Sequence, residues 1–184
     1  MPQSVPPPPA VPTDADLVSA YRGGDESGAS QLVTRHAASL ARFIAGTGAD
    51  PGEIEDLVQE AFFRAFRALD RWRGESAFRS WLLTIGSNLA RDQYRRRKGR
   101  TVISIDDHDV ATHDDPAAAL EANEAERNLA DELTRLPRLQ REVFLLRAQQ
   151  GMAYEEIARS LDTTPGAARV HYHHAVKRLK ELFA

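Results

Sequence analysis

The sequence Tyr154-Glu-Glu-Ile-Ala-Arg-Ser-Leu-Asp-Thr-Thr-Pro165 encodes two helices that meet at a tight turn. Its first part is a short amphipathic helix that ends at Leu161, and Asp162 and Thr163 supply the turn. Thr164 then offers a hydroxyl N-cap immediately before Pro165, which suits the first helical position because an N–H there has no partner within the helix. This pattern predicts a helix-turn-helix.

The second of these helices has a polar outer face. Its apolar stripe, at helical spacing, consists of Ala168, Tyr172, Ala175, Val176, Leu179, Leu182 and Phe183. The opposite side carries Val170, His173, His174 and Lys177, with Arg169 at its edge. We interpret this outer face as a DNA-reading surface. The alternative is an ordinary helical hairpin whose polar face is simply solvated.

The composition excludes several classes of protein. The 184 residues allow one or two small domains, and a hydrophobic content of 42% is enough for compact helical cores. There is no apolar run of about 18 residues, so no membrane span is predicted, and no secretory signal is visible. The absence of cysteine excludes disulfides and thiolate zinc sites. We therefore expect a soluble, cytoplasmic protein, and the net charge of −3 conceals strong local differences.

The chain divides into four segments. Residues 1–12 are rich in proline and predict a disordered tail, and residues 13–100 predict a helical module. Residues 101–126 hold eight acidic residues and no lysine or arginine, which predicts a flexible linker. Residues 127–184 form a second, smaller helical module that contains the helix-turn-helix. Only Thr101–Ile105 alternates as a strand would, and it is too short to build a sheet, so the predicted fold is all-α with two domains.

A helix predicted from Glu53 to Leu69 has two distinct faces. Its core stripe consists of Ile54, Leu57, Val58, Ala61, Phe62, Ala65 and Leu69. The far side carries Asp56, Gln59, Glu60, Phe63 and Arg67, which places one aromatic ring in the middle of a polar face. An exposed aromatic residue with charged neighbours is typical of a protein docking surface. The alternative is that another helix of the module covers Phe63.

The next predicted helix begins at Ser76 as its N-cap and runs into a basic segment. Thr84, Asn88, Arg91 and Arg95 share one of its faces, and residues 91–100 hold six basic side chains against a single acidic one. This density favours neutralisation of phosphates. The loop before the helix contains Trp72 and Arg73, a combination that can stack an unpaired base and hold its backbone. Alternatively, the tryptophan belongs to the core.

Four motifs together resemble one family. They are Asp56-Leu-Val-Gln-Glu-Ala-Phe-Phe-Arg-Ala-Phe66, Trp72-Arg-Gly-Glu-Ser-Ala-Phe-Arg-Ser-Trp-Leu-Leu-Thr-Ile-Gly-Ser-Asn88, Leu136-Pro-Arg-Leu-Gln-Arg-Glu-Val-Phe-Leu-Leu146 and Tyr154-Glu-Glu-Ile-Ala158. In this order they resemble the extracytoplasmic-function (ECF) group of bacterial sigma factors, over about Asp14 to Leu182. The resemblance implies a first domain that binds core RNA polymerase and melts the −10 promoter element. It also implies a second domain that recognises the −35 element.

The resemblance also assigns roles to residues. Asp56, Gln59, Glu60 and Phe63 resemble the surface that engages the clamp helices of the largest (beta-prime) polymerase subunit. The −10 region implied by the resemblance consists of Trp72, Arg73, Ser76, Thr84, Asn88, Arg91 and Arg95. The −35 region consists of Thr164, Arg169, Val170, His173, His174 and Lys177. The family usually has arginine where this chain has His174 and Val176, so the preferred −35 sequence is not inferred.

Other functions have to be weighed against this one. A stand-alone helix-turn-helix regulator would leave Phe63 and the basic helix without a role, and a decoy that titrates an anti-sigma factor would not need the DNA-binding charges. An enzyme is disfavoured because we find no nucleophile–base pair, phosphate loop or carboxylate dyad. His171 and His174 lie three residues apart and have no further metal ligand, so neither a metal nor a cofactor is expected. The expected partners are core RNA polymerase, promoter DNA and an anti-sigma factor.

Overall fold

The computed structural model describes residues 11–74, 76–99 and 124–182. These residues form eight α-helices and no strand, which confirms the all-α prediction. The proline-rich tail up to Ala10, the Thr101–Ile105 segment and the acidic segment up to residue 123 lie outside the described residues. The helices are α1 (Asp14–Arg22), α2 (Glu26–Gly46), α3 (Ile54–Arg67), α4 (Phe78–Gly99), α5 (Glu124–Arg135), α6 (Arg138–Phe144), α7 (Tyr154–Leu161) and α8 (Pro165–Leu182).

Several helix ends follow from local side-chain chemistry. Thr13 and Asp16 form a capping box at the start of α1: the Thr13 hydroxyl accepts from the Asp16 N–H at 3.2 Å, and the Asp16 carboxylate accepts from the Thr13 N–H at 2.8 Å. Thr164 caps α8 as predicted, since its hydroxyl accepts from the Ala167 N–H at 3.1 Å. Asp162 ends α7 in the left-handed conformation, with φ of 53°.

The start of α4 differs from the prediction. The helix begins at Phe78, two residues after the expected N-cap at Ser76. The Ser76 carbonyl instead accepts a hydrogen bond from the Trp72 indole Nε1 at 3.2 Å. This contact holds the chain outside the helix at Ser76 and ties the tryptophan loop to the helix start.

Helices α1 to α4 form the first module around a buried core. Its fully enclosed side chains include Leu32, Leu40, Phe43, Ile44, Phe78, Leu82 and Leu83. Helix α1 crosses α2 very closely at Gly28, where a Cβ atom would lie 2.4 Å from the Leu17 carbonyl oxygen. Glycine is therefore required by the approach of the two backbones.

Helices α5 to α8 form the second module. A π-helical turn, Leu145–Gln149, continues α6, and both α6 and α7 pack against α8. The buried core includes Val143, Leu146, Ile157, Ala168, Ala175 and Leu179. The helix-turn-helix predicted from the sequence is thus formed by α7 and α8, and the outer face of α8 remains exposed.

The two modules pack against each other. Helix α4 contacts α7, and α2 contacts the π-helical turn. At the second contact, a Cβ atom on Gly46 would lie 2.7 Å from a methyl group of Leu145, which is fully buried. This packing was not predicted from the sequence. Among the described helices, none has the length and apolar character that crossing a membrane requires.

Candidate nucleic-acid and protein interfaces

The outer face of α3 is open to solvent. Phe63 is 55% exposed, so the alternative in which another helix covers this ring does not hold in this structure. The Arg67 guanidinium lies 5.4 Å from the centre of the ring, and Asp56 and Gln59 are also exposed. Glu60 is half-buried and pairs with Arg64 at 2.7 Å. All four residues of the predicted polymerase-binding set therefore lie on one helix face, and the aromatic ring of Phe63 is exposed among them.

Trp72 packs against the core and also lines a depression that is open to solvent. Its ring packs edge-on against Phe78, with the ring centres 6.0 Å apart, and the Arg22 guanidinium donates to the Trp72 carbonyl at 2.8 Å. The half-buried Trp72 also lines an open surface depression together with Arg71, Arg73 and Ser76. The loop is thus anchored by the core while one side of it remains available to a flat ligand such as a base.

The polar face of α4 is only partly accessible. Asn88 and Arg95 are exposed. Thr84, by contrast, lies with its hydroxyl 2.7 Å from that of Ser160 on α7, and Arg91 approaches the buried Glu142 carboxylate at 3.7 Å. The face that was predicted to line the path of a DNA strand is therefore shared between solvent and the second module.

One arginine of the basic segment has a structural role. The Arg97 guanidinium contacts the carboxylates of Asp50 and Glu53, at 2.5 and 3.2 Å. Its hydrogen bond to Asp50 is the largest cause that raises the pKa of Arg97 above the ordinary arginine value. This arginine ties the end of α4 to the turn before α3, so the phosphate-neutralising capacity of the segment is smaller than its sequence indicates.

The outer face of α8 is exposed as predicted. Arg169, His173, His174 and Lys177 are exposed, and Val170 is 52% exposed beside them. Thr164 stands at the start of the same helix. The neighbouring His171 is partly covered, and burial followed by the proximity of His174 lowers the pKa of its imidazole. Among the described residues, no cluster of three or more potential metal ligands includes these histidines.

An aromatic clamp that was not predicted from the sequence lies beside this face. The guanidinium groups of Arg147 and Arg169 lie 4.9 and 5.0 Å from the centre of the Tyr154 ring. Arg147 also donates to the Met152 carbonyl at 2.8 Å. The ring therefore restrains the Arg169 guanidinium, which is one of the cations of the proposed DNA-reading face. The only sequence signal was an aromatic residue at the first position of α7.

The polar residues between the modules were also missed. Gln150 and Glu142 are 7% and 3% exposed. The Gln150 side-chain oxygen accepts from the Ser39 hydroxyl at 2.8 Å and from Arg79, and the Glu142 carboxylate accepts from the Ser87 hydroxyl at 3.4 Å. Both acceptors face donors of the first module, and periodicity within one helix carries no sign of such a pairing.

Comparison with known proteins matches both modules in order. The family model for Sigma-70 region 2 matches residues 32–100, and the one for Sigma-70 region 4 matches residues 126–179. The ECF RNA polymerase sigma-E factor of Haemophilus influenzae is 33% identical over 171 residues, which cover 85% of this chain and 88% of that protein. The ECF RNA polymerase sigma-E factor of Escherichia coli K12 is 35% identical over 168 residues, covering 85% and 87%.

Two solved structures are similar over both modules. CnrH, in complex with the cytosolic domain of CnrY, is 28% identical with a TM-score of 0.70, covering 92% of this chain and 96% of CnrH. The sigma factor RpoE of Bartonella quintana, in complex with the anti-sigma factor NepR, is 25% identical with a TM-score of 0.69, covering 84% and 95%. The sequence matches and the fold agree, and the chain belongs to the ECF group of RNA polymerase sigma factors.

Proposed function

We propose that this sigma factor docks on core RNA polymerase through the outer face of α3 and directs initiation at its own class of promoters. The observation that carries the docking assignment is Phe63, an exposed aromatic ring among Asp56, Gln59 and Glu60 within the region 2 match. Exposed aromatic residues are frequent anchors of protein interfaces, and surrounding charges set the register.

The proposed role in promoter opening is binding rather than catalysis. Unstacking a base costs a few kcal/mol, and stacking on a protein aromatic ring returns about 1–3 kcal/mol per base, with phosphate contacts in addition. Trp72, Arg73, Ser76 and Asn88 supply the stacking and polar groups for the −10 strand, and Arg91 and Arg95 neutralise its phosphates. The chemistry of RNA synthesis belongs to the polymerase, so we assign no catalytic residue to this chain.

Recognition of the −35 element is proposed for the exposed face of α8. The N-terminal residues of a recognition helix reach base edges in the major groove, and Arg169 and Val170 lie in this part of α8. Val170 is apolar and exposed, which suits contact with a thymine methyl group. His173, His174 and Lys177 continue the face, and Thr164 caps the helix.

An anti-sigma factor is the proposed regulatory partner. The sigma factor RpoE of Bartonella quintana, which is similar to this chain over both modules, was solved in complex with an anti-sigma factor. We propose that such a factor competes with core polymerase for the α3 face around Phe63 and acts in the cytoplasm, where the polymerase is found.

The docking proposal is tested with a reciprocal pair of variants. Phe63→Ala with Gln59→Ala should weaken binding to core polymerase by at least tenfold and abolish run-off transcription from fragmented genomic DNA. Val170→Ala removes a side chain of similar exposure, 52% against 55%, from the other module. It should leave polymerase affinity unchanged and reduce promoter binding instead. Unaltered polymerase affinity in the α3 double variant would refute the docking assignment.

A further inference from the structure

Arg22, the last residue of α1, holds the loop that contains Trp72. The Arg22 Nη2 atom donates to the Leu69 carbonyl at 2.5 Å and to the Trp72 carbonyl at 2.8 Å. We propose that Arg22 is a positioning residue, which fixes this loop in the conformation that receives an unpaired base of the −10 strand. The inference rests on the proposed function, because Arg22 acts through Trp72 and not through a DNA contact of its own.

The end of α1 is itself held against the end of α3. The Tyr21 ring packs against the Phe66 ring of α3, with the ring centres 5.3 Å apart. Leu69 lies in the 3₁₀ turn that follows α3, and its side chain is buried. Arg22 therefore reaches the loop from a fixed position, and its hydrogen bonds tie the loop to a helix other than the two that it connects.

The loop is restrained at both ends and open at its tip. Arg22 holds two carbonyl oxygens at the start of the loop, and the Trp72 indole Nε1 donates to the Ser76 carbonyl at its end. Gly74 lies between these points with a φ of 75°, and a Cβ atom there would meet no described residue within 4 Å. Because nothing packs against the loop at Gly74, the hydrogen bonds at its ends determine its conformation.

The bond to the Trp72 carbonyl also orients the next residue. A carbonyl group and the following N–H belong to one planar peptide unit, so fixing the Trp72 oxygen fixes the direction of the Arg73 N–H. Trp72, Arg73 and Ser76 line the same open depression. A loop that is ordered before binding loses less conformational entropy when it captures a base. We therefore expect Arg22 to stabilise the open complex and to leave the closed complex unaffected.

Both hydrogen bonds come from one nitrogen atom, and this decides the choice of variants. Arg22→Met keeps a long, unbranched side chain and removes its donors. Arg22→Lys keeps one charged nitrogen with three N–H donors, which is enough for both carbonyl oxygens. The control is Arg42→Met, at an exposed arginine of α2.

The free protein tests the restraint on the loop. The chain has two tryptophans, so Trp81→Phe leaves Trp72 as the single source of indole fluorescence. In this background, Arg22→Met should raise the acrylamide quenching constant of Trp72 by about twofold or more, because the loop opens locally more often. Arg22→Lys and Arg42→Met should match the parent protein. Unchanged quenching in Arg22→Met would overturn the proposal, whether or not the protein acts as a sigma factor.

Promoter opening tests the consequence for the −10 strand. The probe is the promoter fragment that gives the strongest run-off product from fragmented genomic DNA. On this fragment, the Arg22→Met holoenzyme should show about tenfold lower permanganate reactivity of the −10 thymines, and its closed-complex affinity should stay within about twofold of the wild type. Arg22→Lys should recover most of the loss, and Arg42→Met should show none.

The other outcomes separate this role from its alternatives. Equal losses in the two assays would overturn the proposal in favour of a general role of Arg22 in stability. A salt dependence of closed-complex binding that weakens by about one phosphate contact in Arg22→Met would overturn it in favour of a direct contact with DNA. A wild-type holoenzyme that opens no promoter counts against the proposed function, and the quenching of Trp72 then decides whether Arg22 holds the loop.

Discussion

Phe63 and Val170 are the large apolar side chains that the described helices leave more than half exposed, one in each module. Burying the Phe63 ring or the Val170 side chain against another helix would stabilise the fold, because the transfer of apolar surface out of water is favourable. Neither is buried, and each lies among polar residues on the outer face of its helix. At the scale of the residue, these are the two positions at which we expect another molecule to bind.

His36 is a buried titratable group in the first module. It is 6% exposed, and its Nε2 atom lies 2.9 Å from an Asp14 carboxylate oxygen. Burial lowers the pKa of His36, and the Asp14 charge and hydrogen bond oppose this effect only in part. Because the folded pKa lies below the unfolded value of roughly 6.5, the unfolded chain takes up a proton first as the pH falls.

We therefore expect His36 to make the protein less stable in mild acid. The free energy of unfolding of the wild type should fall as the pH drops below about 6.5 and level off below the folded pKa. His36→Gln should show a weaker decline, measured by urea unfolding at a series of pH values. His173→Gln, at an exposed position, is the control and should follow the wild type. Parallel wild-type and His36→Gln curves would contradict the prediction.

The Tyr154 ring is expected to restrain Arg169 for DNA binding. Tyr154→Leu removes the cation–π contacts to Arg147 and Arg169 and should weaken binding of the polymerase holoenzyme to promoter DNA several-fold. Tyr154→Phe keeps the ring and should bind nearly as tightly as the wild type. The measurement is a promoter-binding titration, with thermal melting to show that the fold is retained. The hydroxyl, rather than the ring, would be responsible if both variants lost affinity equally.

At the scale of the element, the packing of each helix in this fold depends on two requirements. Its sequence must place apolar residues on one stripe, and its neighbours must approach closely enough to cover that stripe. The α1–α2 pair shows the second requirement most clearly. The two backbones meet at Gly28, and the space there is smaller than any side chain.

Gly28→Ala is accordingly expected to destabilise the first module. The new Cβ atom would lie 2.4 Å from the Leu17 carbonyl oxygen, and neither backbone can move without disturbing the α1–α2 packing. We expect a loss of about 1–3 kcal/mol in the free energy of unfolding, measured by urea denaturation. The control is Gly166→Ala in the first turn of α8, where the nearest atom is 4.0 Å away. It should be neutral or stabilising by up to about 1 kcal/mol.

At the scale of the whole molecule, the two modules share a contact that has a polar and an apolar part. The polar part joins α4 to α7, where the Thr84 and Ser160 hydroxyl oxygens lie 2.7 Å apart. In the apolar part, the buried Leu145 side chain packs against Gly46 of α2, a position that carries no side chain. Contacts between domains are typically polar enough to open, and relative motion of the modules is the normal expectation.

Gly46→Leu should open the molecule without unfolding it. The added side chain would occupy the space of the Leu145 methyl groups, which lie 2.7 and 3.0 Å from a Cβ at this position. We expect a larger radius of gyration in small-angle X-ray scattering and unchanged helicity by circular dichroism. Gly52→Ala, whose Cβ would meet only the Asp50 carboxylate at 3.4 Å, should scatter as the wild type does. A Gly46→Leu profile identical to the wild type would contradict the importance of this contact.

Much of the fold was predictable because it depends on interactions between residues close in the chain. Helical periodicity located α3, α4 and α8, and the Thr164–Pro165 pair located the start of the last of these. The same periodicity placed Phe63 on the face away from the core. Ser76 was a wrong prediction for the start of α4, because a hydrogen bond from Trp72 to its carbonyl holds the chain outside the helix.

By itself the sequence determined an all-α chain of two helical modules, the helix-turn-helix and the residues on the outer faces of α3 and α8. The tertiary structure alone decided that α4 is covered by α7, that Arg97 pairs with Asp50, and that Tyr154 contacts two arginines. These contacts join residues that are far apart in the chain or on different elements. Periodicity orients side chains only relative to their own helix, and the partner of each face depends on how the helices pack in three dimensions.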